Sequence, residues 1–465
     1  MTTTTKQVAE YVHGMNVEQF DAEVVNKAKA LCVSALGMTV AGSRIHAGQV
    51  LASYARGHGG HPHSSVLGAG FRTSAELAAF VNATAAHSTE LEDDSWPESM
   101  YTCHIIPAVF ALGEELKSTG KDILEAFVLG YEVQARPGMI LTDSGATGRG
   151  WLTAPHLGTI GVAAAAAKLF KLDAKQTQMA ISLAVSQASG STRQMGTGAH
   201  LYEAGVAGRN GINAARLAKL GLTGVPDILE GVRGYFDALA GQPDIDFELG
   251  TGKDFRVMQI GFKKYTACYL MQRIIDGVIE LVNQHDIAAD DVETVAVEVN
   301  PTFPEIIKFP EPKNGEESRF SLHHCVAAAL MREEISVHTF TDEGARDSRL
   351  KAQWHKTRII VNPSWERAIL GKMNPLTITT KDGRQYHRVC VTSHGDPEDP
   401  LSDDEVKHKY LTCVEGIICT EHAHRGAELI FELDTLNDVS ELMRLLTFPS
   451  SKDGTHTDCN GDMHG

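Results

Sequence analysis

HSTELEDDSWPESMYTCHIIPAVF, residues 87–110, is the stretch from which the rest of this 465-residue chain can be read. Glu90, Glu92, Asp93 and Asp94 fall within five positions, at the end of an apolar helical run. That run starts at Thr73-Ser74-Ala75-Glu76, the pattern of a capping box, and continues through Leu77, Phe80 and Val81. Pro97 stops any helix, and Pro107 opens the next, where a missing N–H costs nothing. Glu90 and Asp94 are four apart. In a helical turn they share one face, and like charges repel there unless a cation or a proton lies between them. Taken alone, the segment reads as a solvated acidic loop.

Outward from it, helical periodicity runs over residues 7–42 and from Pro107 to about Lys117. Asp122-x-x-Glu125 is the cap pattern of a further helix, with Phe127, Val128 and Tyr131 apolar, expected to end before Arg136-Pro137. Gly158–Phe170, with five consecutive alanines, and residues 174–189, 203–220 and 226–239 also read as helices. This predicts an all-α domain over residues 1–263. The pattern then changes. Cys268–Asn283 and Ser321–Arg332 are helical, Val292–Asn300 alternates as a strand, and Thr357–Val361 is a short strand. Pro375–Thr380 and Arg384–Thr392 flank Lys-Asp-Gly, a strong hairpin turn. Residues 264–395 are thus predicted to form a smaller α+β domain. A helical return follows over 396–449, capped by Ser402-x-x-Glu405 and including the amphipathic stretch from Asp438, before a disordered tail at 450–465. The fold class is mostly α with a smaller α/β part.

Composition is that of a globular protein, 43% hydrophobic and 22% charged, with a formal net charge of −17. That charge, without a basic stripe, excludes nucleic acid as a partner. Eight cysteines without CxxC spacing read as reduced intracellular thiols. No secretory leader is legible, and no apolar run approaches the ~20 residues that span a bilayer, so cytoplasm is expected and a membrane is not.

His-x-x-Glu-Leu-Glu-Asp-Asp, followed by Ile-Pro-Ala-Val-Phe-Ala, resembles the signature of the MmgE/PrpD family. So do, in this order, Ala-Ala-Ala-Ala-Ala-Lys-Leu-Phe-Lys-Leu, Ala-Gly-Val-Ala-Gly-Arg-Asn-Gly, Phe-Lys-Lys-Tyr-x-Ala-Cys and Arg-Phe-Ser-Leu-His-His-Cys-Val-Ala. The resemblance covers nearly the whole chain. It implies a large helical domain with an α+β lid and a homodimer, which the Ala/Gly-rich helices permit. It also implies chemistry on small di- and tricarboxylates by proton abstraction, dehydration or decarboxylation, without metal or organic cofactor. No metal site is expected from spacing either: His61-Pro-His63 and His422-x-His424 read as surface histidines.

Carried over residue by residue, the family's site changes. Glu90 stands in place of the first aspartate of the acidic segment, with Asp93 and Asp94 kept. The loop histidine falls on Met100, with His104 or Tyr101 as alternative occupants, and the second histidine falls on Leu152, with His156 as its alternative. A lysine becomes His200, the next position is Glu203, and the lid tyrosine becomes His324. Lys263, read as a lysine with an exposed stem, keeps its motif together with Tyr265 and Cys268. The expected catalytic groups are therefore His200, Lys263, His324 and Asp94. Glu90, Asp93, Met100, Leu152, Cys268 and Tyr265 are expected to bind substrate. The expected function is elimination, decarboxylation or proton-transfer isomerisation of a carboxylate with an apolar arm, such as a biosynthetic intermediate. An isomerase or cyclase, and an inactive binding homologue, are the alternatives.

Overall fold

A computed structural model describes residues 3–448 apart from Asp244 and Glu333, without the side chains of residues 142 and 143. The expected tail at 450–465 lies outside the described residues. The chain forms two compact units: one of residues up to Gln194, Gly198–Ile260 and Ser402 onward, the other of Gly261–Leu401 with Met195–Thr197.

The first unit is helical: α1 (Thr4–Gly14), α2 (Ala22–Gly42), α3 (His46–His58), α4 (Ala75–Ser88), α5 (Ile105–Leu116), α6 (Gly120–Asp143), α7 (Thr153–Leu169), α8 (Ala174–Val185) and α9 (Gly198–Lys219). Helix α4 packs against α2, α3, α5 and α9, and α7 against α5, α6, α8 and α9. Small residues let these axes approach. A Cβ on Gly205 of α9 would lie 2.4 Å from the Phe80 carbonyl oxygen of α4. One on Gly161 of α7 would lie 2.6 Å from the Gly130 carbonyl of α6. The alanine runs are thus a close-packing surface, buried on nearly all sides.

Several local expectations are corrected. Residues 7–42 are two helices, parted where the Asn16 and Gln19 side chains bond each other's backbone. Ser74, not Thr73, caps α4, accepting from the Leu77 N–H at 3.4 Å, while Glu76 pairs with Arg216. Helix α6 is capped by a Thr119–Asp122 box and runs through Pro137. The proline is tolerated because its neighbours are held: Arg136 pairs with Glu132, and Gly138 packs against Glu98 and Met100. Of residues 226–239, only Tyr235–Ala240 is helical. Helix α3 and the hairpin of Ser64–Val66 with Phe71–Thr73 had no sequence expectation, while the helix Thr420–Phe431 lies within the expected helical return. Helix α2 is long and apolar enough by composition to cross a membrane, and most of it is buried within the helical core.

The return begins at Asp403–Val414, with the expected Ser402–Glu405 box, and packs on α2. It then clamps earlier elements by backbone hydrogen bonds: Gly120 N–H to Leu436, Val439 N–H to Ser118, and Gly68 and Gly70 N–H to Leu446 and Thr447.

The second unit holds a four-stranded sheet in the order Thr357–Val361, Val292–Val299, Asn374–Thr380, Gln385–Cys390. The first pair is parallel and the others antiparallel. Gly383, at φ +88°, makes the hairpin turn. Alternate strand residues Val295, Val297, Leu376 and Ile378 share a core with Ile274, Ile275 and Val278 of the helix Gln272–Gln284.

Candidate active site

Helix α4 stops at Ser88, and Glu90 then turns left-handed at φ +52°. Asp94–Ser95 is already a strand, antiparallel to Met100–Tyr101. Glu90 and Asp94 therefore do not share a helical face. Nor is the segment solvated: Glu90, Glu92, Asp93 and Asp94 are 4%, 2%, 0% and 2% exposed. Burial on this scale requires partners. Asp93 Oδ1 accepts from Lys409 Nζ at 2.7 Å, and the same ammonium donates to the Leu91 carbonyl at 3.1 Å. Burial pushes the Asp93 carboxyl above its usual range, with Lys409, Ser34 and Lys27 pulling it back. Burial in turn lowers Lys27 to about 8. Asp94 Oδ1 accepts from Trp96 Nε1 at 3.2 Å, next to a cis Trp96–Pro97 bond. Glu98 is held by Ser95 Oγ at 2.7 Å and by Arg256 Nε at 3.0 Å.

Over this floor runs a row of rings. His87, in the last turn of α4, meets His200, in the first turn of α9, edge-on with centroids 4.6 Å apart. His87 Nε2 is 3.8 Å from Glu92 Oε1, and His200 Nδ1 is 3.8 Å from Glu203 Oε2. The Ser191 N–H fixes the other Glu203 oxygen at 2.9 Å. Tyr101 lies 5.2 Å from His87 and 6.4 Å from His104, by ring centroids. His104 Nε2 is 2.8 Å from Gln134 Oε1, in a slot that exists because Gly158 has no Cβ: one there would stand 2.5 Å from Nε2. Burial lowers His104 to about 4 against the pull of Gln134, so the ring is neutral and Nε2–H donates. His156 packs edge-on to Trp151 at 5.1 Å and is lowered by burial, against Gly190 and Glu203. His87, Glu90 and His200 each offer a ligand atom, all within 4.8 Å of one another.

Of the residues expected from sequence, Glu90 and His200 come together here, while Asp93 faces Lys409. Met100 is buried, with its terminal methyl beside Gly138 and its carbonyl accepting from Tyr131 Oη at 2.9 Å. Leu152 precedes α7 and packs by Gly190. The alternative occupants Tyr101 and His104 stand in the ring row. In the second unit, Lys263 is 2% exposed, which corrects the exposed-stem expectation. Tyr265 Oη donates to Asp276 at 2.6 Å, and the backbone N–H of buried Cys268 bonds the Arg319 carbonyl at 2.9 Å. His324 is packed edge-on against Phe340 and Trp354, with Nε2 3.2 Å from the Thr339 carbonyl, and burial lowers it. His87 and Glu92 received no role from sequence. His87 does have a signal, its i, i+3 spacing to Glu90, but the alanines around it resemble an ordinary core helix.

The family model described as the MmgE/PrpD N-terminal domain matches residues 6–248, and that of the C-terminal domain matches residues 265–435. A cis-aconitate decarboxylase of Mus musculus is 25% identical, covering 97% of this chain and 95% of the relative. One of Homo sapiens is 24% identical, at 96% and 95% coverage. A cis-aconitate decarboxylase-like protein, oryM, of Aspergillus oryzae is 24% identical, at 95% and 97%. Such relatives define a class, lyase-type enzymes acting on carboxylates. The chain belongs to the MmgE/PrpD family.

Proposed function

We propose that the chain is a cofactor-independent lyase that moves a proton beside a carboxylate of a small metabolite, leading to decarboxylation or elimination. His200 is the base, with the Glu203 carboxylate beside its ring. The observation that carries this is the edge contact of two buried imidazoles, His87 and His200, each with a carboxylate 3.8 Å away. A carboxylate beside an imidazole favours the imidazolium formed as the proton is taken. His324, wedged between two aromatic rings, is the weaker candidate. Asp94 is a proposed helper, and Lys263 is proposed to contribute to turnover as the motif lysine of the second unit. Glu90, Glu92 and Glu203 around the imidazoles make a poor seat for a polyanion. With apolar side chains at Met100 and Leu152, this points to an acid with fewer charges and an alkyl arm, which gains roughly 25 cal/mol per Å² buried.

The test is an assay by mass spectrometry on cis-aconitate, 2-methylcitrate and a panel of alkylated mono- and dicarboxylates. Negligible turnover of the first two and turnover of an alkylated acid are expected, and robust turnover of either polyacid would overturn the substrate class. His200→Asn should lower kcat by about 10²–10⁴-fold. Because Lys263 is buried, Lys263→Met is the fair variant, keeping the stem and removing the ammonium. It should cost about 2–4 kcal/mol in kcat/KM, read on protein shown folded by its circular dichroism, since removing a buried ammonium also lowers Tm. An unchanged kcat/KM would make Lys263 structural.

A further inference from the structure

We infer that His87, Glu90 and His200 form an inhibitory site for a divalent transition-metal ion, zinc in the first place. Two imidazoles and one carboxylate are a zinc-binding donor set that leaves a fourth position open. The three donor atoms lie within 4.8 Å of one another, and their residues are 1%, 4% and 3% exposed. Zinc bonds of roughly 2.0–2.2 Å require closing these gaps by about 1 Å. The helices that carry His87 and His200 are locked together where Gly205 meets Phe80, so the two rings are presented from a fixed frame.

A second observation points to a cation independently. His200 Nδ1 is buried without a hydrogen-bond partner among the described residues, and so is Glu203 Oε2, 3.8 Å from it. A metal ion among these groups satisfies both, with Glu203 or water as fourth ligand. This inference extends the proposed function: an ion held by His200 occupies the one basic lone pair of the neutral ring, with which it would take the substrate proton, so turnover stops while the ion is bound. The exposed pair His61 and His63, with rings 5.5 Å apart, is the place where zinc would bind adventitiously, and it serves as the control.

Full-length protein stripped with a chelator is titrated with zinc by calorimetry and in competition with a chromophoric chelator. Cobalt(II) serves as a spectroscopic probe of ligand geometry. The expected result is one ion per chain, tetrahedral cobalt absorption, and at least 100-fold weaker binding in Glu90→Gln and in His87→Asn. The double variant His61→Ala/His63→Ala should bind as wild type does. Glu90→Gln is near-isosteric, and its Tm without metal shows whether it folds. Absence of a one-to-one site overturns the inference, as does a site that survives Glu90→Gln or vanishes with His61 and His63. Turnover of the substrate found in the panel should fall in step with occupancy and return on chelation; binding without inhibition overturns the inhibitory role. If instead His200→Asn retains full activity while zinc binds as described, the proposed base is wrong and the metal site stands.

Discussion

Asp93 is buried completely, and the cation that neutralises it, Lys409, lies 316 residues further along the chain. Removing one member of a buried pair leaves an uncompensated charge, so Lys409→Met should destabilise by about 3–5 kcal/mol in urea unfolding. The double variant Asp93→Asn/Lys409→Met should recover most of that. If the two losses simply add, the pair is not the source of the effect. His104 gives the pH dependence. Its ring is held neutral, with a folded value of about 4 against the usual 6.5. Between those values the unfolded chain takes up a proton that the folded chain refuses. Stability therefore falls as pH drops from 6.5 towards 4, by up to about 1.4 kcal/mol per unit, and is unaffected by this group above 6.5. His104→Asn should flatten that part of the Tm–pH curve relative to wild type; parallel curves would contradict it.

At the scale of elements, close approach governs what the helices tolerate. Gly205→Ala would put a methyl group 2.2 Å from Thr84 Oγ1 and 2.4 Å from a backbone oxygen that cannot yield. A loss of about 1–3 kcal/mol is expected, with turnover disturbed because His200 rides on the same helix; an unchanged Tm would show that α9 can shift. The elements also show where sequence suffices. The Ser402–Glu405 box and the Lys-Asp-Gly hairpin carry their own geometry, so both were legible. Pro137 was misleading because local preference was overruled by packing on both sides. The burial of Asp93 and of Glu98 was illegible for the same reason: their cations, Lys409 and Arg256, lie far away in sequence. Of the candidate site, Glu90 and His200 were found through a motif. His87 opens the same motif but received no role there, because only the meeting of α4 and α9 brings it against His200.

For the whole molecule, a homodimer remains the expectation. The helical unit exposes Leu220, Leu222, Val225 and Val232, at 79%, 49%, 55% and 80%, along one short stretch, more apolar surface than scattered residues leave. Light scattering at micromolar concentration should give twice the chain mass, and Leu220→Glu/Val232→Glu should halve it; a wild-type monomer would refute the dimer.

The backbone bonds by which residues 436–447 hold the loops near Gly68 and Ser118 bear on the order of events at the ribosome. The amino-terminal helices emerge long before the strand of chain that completes them, and the whole second unit is translated in between. Until Lys409 arrives, Asp93 lacks the ammonium that hydrogen-bonds it, and the hairpin at residues 64–73 has no clasp. A message cut short after residue 401 would encode His87, Glu90, His200 and Lys263 in full, yet its product would reach the cell's proteases as an unfinished helical unit.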